Sequence, residues 1–182
     1  LLKENYIYNE NMEHDACGVG LVVSTEGKKS RKVVESGLEA LKAVWHRGAI
    51  DADGKTGDGA GIHIEIPRDF FIEKIEVTGH SHDNSELCVG MIFLPRNDYE
   101  AQEACRTILE SELTKNNFNI YGWRQVPVNP SVLGEKAEQT RPEITQILFN
   151  HNNKNLKDKD LERALYETRR IIENKALSNQ QN

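Results

Sequence analysis

Apolar residues recur along the chain with two periods, and each period predicts one kind of element. Where they return at every third or fourth position, the pattern is typical of an amphipathic helix. The helical stretches are a segment capped by Ser30 that ends near Gly48, Ala101–Leu113 and Lys159–Leu177. Short apolar runs and strict alternation predict strands instead. The strand stretches are Gly18–Ser24, Gly61–Pro67, Glu86–Pro95, Phe118–Val126 and Glu143–Phe149.

The order of these elements indicates the class of fold. Helices and strands follow one another as β-α-β-β-α-β-β-α, and Pro127–Arg141 is predicted to be a loop from its Pro, Asn and Gly content. Paired strands between helices differ from the strict alternation of a doubly wound parallel sheet. The sequence therefore predicts one domain in which helices and strands form a layered sandwich.

Composition and charge exclude two classes of function. Hydrophobic residues make up 37% of the chain and charged residues 29%, and no apolar run approaches the about 18–20 residues of a membrane span. The formal net charge is −6, whereas a surface that binds nucleic acid is basic. The expected ligands are therefore small molecules or other proteins, with no nucleic acid and no membrane.

The cysteines and the leader predict a reducing, cytoplasmic location. The three cysteines stand at wide spacings, without the CxxC pairs of a zinc site or the density of a disulfide scaffold. Cys88 and Cys105 fall on the apolar stripes of a strand and a helix, so they are predicted to lie in the core. Leu1–Ala16 lacks the basic start and apolar centre of a signal peptide, although Ala16 is a small residue before a plausible cleavage point.

A glycine-rich loop and a pair of histidines are the first candidates for a binding site. Gly54–Gly61 resembles part of a phosphate-binding loop, but five residues separate Gly48 from Gly54 where that motif has four. The loop also joins a helix to a strand, whereas a phosphate-binding loop opens a helix. A tight loop that permits close backbone approach is the better interpretation. His80 and His82 lack a third ligand nearby, so a solvated polar loop is expected there and no metal.

Cys17 lies where a polar leader meets an apolar run, in the stretch EHDACGVGLVV of residues 13–23. By default such a cysteine is structural. If the chain is cleaved after Ala16, however, a thiol and a free α-amine lie on one residue, and an amine of unperturbed pKa about 8 serves as base for its own side chain. Gly18 and Gly20 leave the backbone beside the thiol open to a substrate carbonyl. A catalytic and a structural Cys17 both stay open at this point.

Several stretches in one order resemble a known family. Besides EHDACGVGLVV they are GLEALKAVWHRGAIDADGKTGDGAGIHIEIP over residues 37–67, VGMIFLPR, AQEACRTILE, IYGWRQVPVNPSVLGEKAEQTRPEI and the final arginine-rich helix. They resemble the glutaminase domain of the glutamate synthase large subunit, a class II glutamine amidotransferase with the N-terminal-nucleophile hydrolase fold. The resemblance implies an α+β fold, an αββα sandwich that is incomplete at its C-terminus in this chain.

The resemblance also implies roles for individual residues. Residues 1–16 match a propeptide whose removal makes Cys17 the first residue, and residues 17–182 match the N-terminal part of the amidotransferase domain. The Cys17 thiolate is then the nucleophile that attacks the side-chain amide of L-glutamine, and its amine is the general base and later the acid. Arg47 and Gly48 are expected to support this site, although a helix C-terminus that closes on glycine explains them equally well. No metal ligand is implied.

For the parent enzyme, the resemblance implies that the released ammonia serves the reductive amination of 2-oxoglutarate. FMN, iron–sulfur clusters and either a pyridine-nucleotide-binding small subunit or ferredoxin belong to that parent, while this fragment is expected to bind no cofactor. The family's remaining glutamine-binding residues lie beyond Asn182, so the chain alone is expected to be inactive. Two alternatives stay open: another class II glutamine amidotransferase, and a non-catalytic interaction domain in which Cys17 is inert.

Overall fold

The structure, a computed structural model, describes residues 18–45, 48–57, 59–83 and 85–179. Within these ranges the chain divides into two units, one formed by residues 18–49 and 57–64 and the other by residues 50–56 and 65–179. The helices and strands are α1 (Arg31–Ala43), α2 (Arg68–Val77), β1 (Leu87–Leu94), α3 (Tyr99–Lys115), β2 (Phe118–Gln125), α4 (Glu135–Thr140), β3 (Glu143–His151) and α5 (Asp158–Asn179), with a 3₁₀ turn at Pro130–Val132.

The first unit contains the helix α1. Ser30 caps this helix as predicted, because its Oγ accepts a hydrogen bond from the Val33 N–H at 3.4 Å. The helix ends at Ala43, earlier than the predicted end near Gly48, with Val44 as its C-cap. None of the α1 residues is fully buried.

The second unit is built on a three-stranded antiparallel sheet in the order β1-β3-β2. β3 therefore lies in the middle and pairs with both other strands, with Leu94 of β1 opposite Glu143. β2 changes register between Ile120 and Gly122. Gly122 has a φ of 149°, a conformation that favours glycine and suits an irregular position in a strand.

Alternation along the strands places apolar side chains on both faces of this sheet. On one face α3 and α5 pack on a core whose buried members are Cys88, Leu109, Leu113, Phe118, Ile147, Phe149 and Leu161. On the other face α2 packs on a smaller core, whose buried members are Phe71, Ile75, Leu87, Tyr121 and Leu148. The second unit is thus a sheet with helices on both sides.

A buried carboxylate adds a polar link between α3 and α5. The Glu112 side chain is almost fully buried, and its Oε1 accepts hydrogen bonds from Lys115 and Lys175 Nζ, each at 2.8 Å. These hydrogen bonds lower the pKa of Glu112. The ionised carboxylate therefore links α3 to α5 beside their apolar contact.

The structure confirms most of the predicted elements of the second unit and contradicts two predicted strands. β1, α3, β2, β3 and α5 lie where the apolar pattern placed them. Gly18–Ser24 and Gly61–Pro67 are not strands, and their exposed apolar side chains are Val19, Leu21, Val22, Val23, Ile62 and Ile64. A strand needs a neighbour for its N–H and C=O groups, and in the described ranges neither segment pairs in a sheet.

Two helices lie where the pattern predicts none. α2 follows Pro67 without a side-chain cap, and it is held by Phe71 and Ile75 against the sheet. α4 and the 3₁₀ turn lie inside the predicted loop Pro127–Arg141. The observed order is α-α-β-α-β-α-β-α, which is compatible with the predicted α+β class. No helix in the described ranges combines the length and the apolar character needed to cross a membrane.

Candidate active site

Of the three residues predicted to form the active site, the structure places one. Cys17 and Arg47 lie outside the described residues, and their roles stay predictions. Gly48 is exposed, and its N–H donates to the Trp45 carbonyl at 3.1 Å. Because α1 ends at Ala43, Gly48 is not the glycine that closes this helix.

The backbone that follows Cys17 is open on all sides in the described structure. A Cβ built on Gly18 or Gly20 has no atom within 4 Å outside its own chain neighbours. Val19 and Leu21 are 96% and 86% exposed. The backbone at Gly18 and Gly20 is therefore free of close neighbours in the described residues, and the predicted strand is absent.

The glycine-rich segment after Gly48 forms the tight loop that was predicted. The Asp51 N–H donates to the Thr56 carbonyl at 2.7 Å, and the Gly54 N–H donates to the Asp51 carbonyl at 2.9 Å. Gly54 has a φ of 68°, in the left-handed region that favours glycine. A Cβ on Gly57 would lie 2.9 Å from the Ala49 carbonyl oxygen, so this residue has no room for a side chain.

Asp53 organises the interior of this loop. Its Oδ1 accepts hydrogen bonds from the backbone N–H groups of Lys55 at 2.9 Å and Thr56 at 2.7 Å. Its Oδ2 accepts from the Thr56 hydroxyl at 2.5 Å. The hydroxyl of Thr56 and then these N–H groups lower the pKa of Asp53 from 3.8 to about 2, because each stabilises the ionised form. The carboxylate is therefore charged at any physiological pH.

The loop also contacts the start of α4, more than eighty residues further along the chain. Lys136 Nζ lies 2.6 Å from Asp51 Oδ2, and the two residues are 85 positions apart in sequence. The backbone N–H of Glu135 makes a small further contribution to the lowered pKa of Asp53. Gly134 is buried, and a Cβ on it would overlap the Asp53 carboxylate and the Thr56 hydroxyl. The roles of Asp53 and Gly134 were not predicted from the sequence, although an Asp followed by Gly is a turn signal.

We predict that Asp53 stabilises the fold only while it is ionised. Because its pKa falls from 3.8 to about 2 on folding, the contribution is complete above about pH 4 and is lost as the pH falls through about 2. The difference in urea midpoint between the unsubstituted chain and Asp53→Asn should stay constant from pH 7 to about pH 4. It should then shrink towards pH 2, and a difference that persists unchanged at pH 2 would contradict the prediction.

The two histidines differ from each other in the structure. His80 is exposed, as expected for a polar loop, and its Nδ1 lies 3.0 Å from the Thr78 hydroxyl oxygen. His82 is half-buried, with Nδ1 3.1 Å from the Tyr121 hydroxyl and Nε2 3.1 Å from the Ser85 carbonyl oxygen. The prediction of a solvated loop is therefore wrong for His82, because its ring lies between Ser85, in the loop before β1, and Tyr121 of β2. Across the described ranges, no group of three or more His, Cys, Asp or Glu side chains is placed to hold a metal.

The structure describes the other two cysteines, and it excludes Cys88 as the nucleophile. Cys88 is buried in the core, and burial, followed by the nearby charges of Glu162 and Glu86, raises the pKa of its thiol to about 12. Since the thiolate is the reactive form, Cys88 is inert at neutral pH. Cys105 is a free cysteine and is half-buried, so the core prediction is confirmed for Cys88 and holds only in part for Cys105.

Comparison with known proteins identifies the family. The sequence profile of the class II glutamine amidotransferases matches residues 17–182, which is nearly the whole chain. The chain belongs to this family.

Its relatives within the family are glutamate synthases. The chain is 56% identical over 174 residues to the large chain of the NADPH glutamate synthase of Azospirillum brasilense, which covers 96% of this chain and 11% of that protein. It is 40% identical over 175 residues to the chloroplastic ferredoxin-dependent glutamate synthase 2 of Arabidopsis thaliana, covering 94% of this chain and 11% of that protein. Ferredoxin-dependent glutamate synthase 2 of Synechocystis is 39% identical over 161 residues, or 88% of this chain and 10% of that protein. The chain thus spans about a tenth of the length of these relatives.

Proposed function

We propose that this chain is the glutaminase portion of a glutamate synthase, with Cys17 as the nucleophile once residues 1–16 have been removed. The observation that carries the proposal is the start of the family match, which falls on Cys17 and leaves the leader outside it. A boundary on this residue is what an N-terminal nucleophile requires, because its α-amine must be free to act as the base. The inert Cys88 thiol supports the same assignment.

The chemistry follows from having both groups on one residue. The Cys17 amine takes the proton of the thiol, and the sulfur attacks the side-chain carbonyl carbon of glutamine. The amine then gives the proton to the departing nitrogen, which leaves as ammonia, and a glutamyl thioester remains on Cys17. Water, deprotonated by the same amine, releases glutamate. Gly18 and Gly20, which have open space around both, keep the backbone after Cys17 free of side chains that would hinder a substrate carbonyl.

The remaining partners of this function belong to the longer polypeptide. Ammonia is proposed to pass to a site for the reductive amination of 2-oxoglutarate, with electrons from NADPH or ferredoxin, the donors in the names of the relatives. The residues described here do not fit an iron–sulfur cluster, since none of them form a group of three or more potential ligands. FMN and iron–sulfur clusters are proposed for the complete enzyme only, and a cytoplasmic location remains a prediction.

The αββα sandwich and the domain boundaries are also part of the proposal. The apolar alternation at Val19, Leu21, Ile62 and Ile64 suits two strands, and these side chains are exposed. Met91 and Phe93 of β1 are exposed as well. We assign both segments to a second sheet that forms in the complete domain of which 17–182 is the N-terminal part. The glutamine-binding residues predicted to lie beyond Asn182 remain part of this proposal, and on that basis residues 1–182 alone are expected to be inactive.

The test is to purify the complete polypeptide, measure its intact mass and assay glutamate release from glutamine. We expect the mass of the mature protein to lack residues 1–16 and glutaminase activity to be present. The chain of 182 residues, assayed beside it, should release no glutamate above background. Full glutaminase activity in a protein that still carries its leader would contradict the role of the Cys17 amine.

A further inference from the structure

We propose that residues 127–142, which we call the strap, open as a unit while the sheet stays folded, and that Arg96 is the latch that keeps the strap closed. The strap connects β2 to β3, two strands that pair directly with each other. This inference concerns the second unit alone, and it is independent of the role proposed for Cys17.

The hairpin of β2 and β3 is closed before the strap begins. Gln125 pairs with Thr145, and the Val126 N–H donates to the Ile144 carbonyl at 3.1 Å. Connections in hairpins usually have about two to five residues, so residues 127–142 are far more than this turn needs. The two strands can therefore stay paired when the strap moves away from the sheet.

The strap has little apolar contact with the rest of the second unit. The structure describes the whole strap, and none of the residues in its 3₁₀ turn or in α4 is fully buried. Val128 and Val132 are exposed, and no strap residue belongs to either core of the unit. Burial of apolar surface is the main favourable term in folding. Opening of the strap therefore costs less free energy than unfolding of the unit.

Arg96 ties the strap to the end of β1. Its guanidinium donates to the Glu138 carboxylate and, at 3.1 Å, to the Glu138 carbonyl. The backbone of Arg96 is itself fixed, because the buried Gln102 donates through Nε2 to the Pro95 and Arg96 carbonyls at 2.8 and 3.2 Å. The latch is thus a guanidinium on a fixed backbone that makes two kinds of hydrogen bond to one residue of the strap.

The hydrogen bonds of the latch are made to a charged group. Hydrogen bonds from Arg141 and then from Arg96 lower the pKa of Glu138 from 4.5 to about 2, because each guanidinium stabilises the ionised carboxylate. Bonds between ionised groups are stronger than bonds between neutral ones. Loss of the Arg96 guanidinium should therefore weaken the closed strap, although Arg141 still pairs with Glu138 inside it.

The strap also contacts the loop over residues 50–56, where Lys136 Nζ lies 2.6 Å from Asp51 Oδ2. That loop contains no strand of the sheet and none of its helices. The contact therefore joins two connecting segments, whereas Arg96 joins the strap to the sheet.

The strap forms one wall of a cleft of about 380 Å³. Residues 139–142 line this wall, and residues 93–97 at the end of β1 line the other. Arg96 belongs to one wall and Arg141 to the other, and the Glu138 carboxylate accepts hydrogen bonds from both. Opening of the strap takes the cleft apart, so the latch determines whether the cleft exists.

The experiment is native-state hydrogen exchange of the 182-residue chain at low urea, resolved by residue with NMR. The amides of Leu133 and Glu138, both hydrogen-bonded inside the strap, report on its opening. The amides of Leu148 and Phe149 in β3 report on the sheet. The strap amides should show equal protection and exchange about a hundredfold faster than the sheet amides. Urea should hardly change their rates, because opening exposes little surface.

Two substitutions act on different steps. Arg96→Ala should speed the exchange of Leu133 and Glu138 by the same factor, about tenfold, because it weakens the closed strap. Ile147→Val, in the core beneath α3 and α5, should speed the exchange of Leu148 about fivefold. It should leave the strap amides within about twofold of their starting rates, since the core persists when the strap opens.

Arg106→Ala is the matched control for Arg96→Ala. The Arg106 side chain is 22% exposed, against 25% for Arg96, but it lies on α3 over the Trp123 ring. Its loss removes an equally buried guanidinium outside the strap. The strap amides should therefore exchange within about twofold of their rates in the unsubstituted chain.

Three results would each overturn the inference. Strap amides that exchange at the rate of the sheet and follow Ile147→Val would show that the strap opens only when the whole unit unfolds. Strap amides without protection in the unsubstituted chain would show that the strap is not closed. If Arg96→Ala leaves Leu133 and Glu138 unchanged, or affects only one of them, Arg96 is not the latch of a segment that opens as a unit.

Discussion

The Cys17→Ala variant of the complete polypeptide should lose glutamine hydrolysis by a factor on the order of 10⁴–10⁶, the range found when a catalytic nucleophile is removed. The reason is that no thioester can form without the sulfur, and the described cysteines offer no replacement. Cys88 is buried with a thiol pKa raised to about 12, and Cys105 lies half-buried on α3. The measurement is glutamate release at saturating glutamine, with reductive amination supplied by free ammonium as a check that the rest of the enzyme is intact.

Cys105→Ala is the matched control for this prediction. It makes the same chemical change at a half-buried free thiol, so glutaminase activity should stay within about twofold of the unsubstituted protein. Residual activity of Cys17→Ala above one hundredth of the starting rate, about 10⁻², would show that another group carries out the attack.

The second large effect is expected on stability, from Phe118→Ala in β2. Phe118 is 2% exposed and packs edge-on against Phe149 and His151, with ring centroids 5.4 and 4.9 Å apart. Truncating a buried phenylalanine costs about 3–5 kcal/mol, because the transfer energy is lost and a cavity remains. Urea unfolding of the 182-residue chain, followed by fluorescence, should therefore show a clear fall in the midpoint or no folded baseline at all.

Phe93→Ala supplies the comparison for the same residue type on the same sheet. Phe93 lies on β1 and is 62% exposed, so its loss should change the free energy of unfolding by no more than about 0.5 kcal/mol. Equal destabilisation by the two substitutions would mean that the core does not lie between the sheet and the helices α3 and α5.

The spacing of apolar residues was enough to predict the helices and strands that pack into the core of the second unit. α3 and α5 follow the three-to-four spacing, and the strands of the sheet follow apolar runs. The segments at Gly18–Ser24 and Gly61–Pro67 carry the same pattern but no paired neighbour in the described ranges. Pairing is a non-local property, so a pattern alone does not decide it. α2 was not predicted because Pro67 offers no side-chain cap. This helix is stabilised instead by packing of Phe71 and Ile75 against the sheet, which is a non-local contact.

The sequence predicts the part of the candidate site that lies on one residue, but not the contacts between distant segments. Cys17 beside a leader is read directly from the sequence, and its role stays a prediction, whereas the tight glycine loop predicted from composition is confirmed. The contact between Asp53 and Gly134 could not be predicted, because nothing in the stretch around Gly134 reveals that a loop more than eighty residues earlier rests on it. Only the fold brings these two segments together.

The position of β3 in the sheet sets an order of events during synthesis. β1 and β2 pair with β3 and not with each other, although both precede it in the chain. While the polypeptide emerges from the ribosome, these two strands have no hydrogen-bonding neighbour until Glu143–His151 has left the exit tunnel. The sheet can therefore form only late in translation. A ribosomal pause before the codons for β3 would leave β1 and β2 unpaired and their apolar residues exposed in the nascent chain.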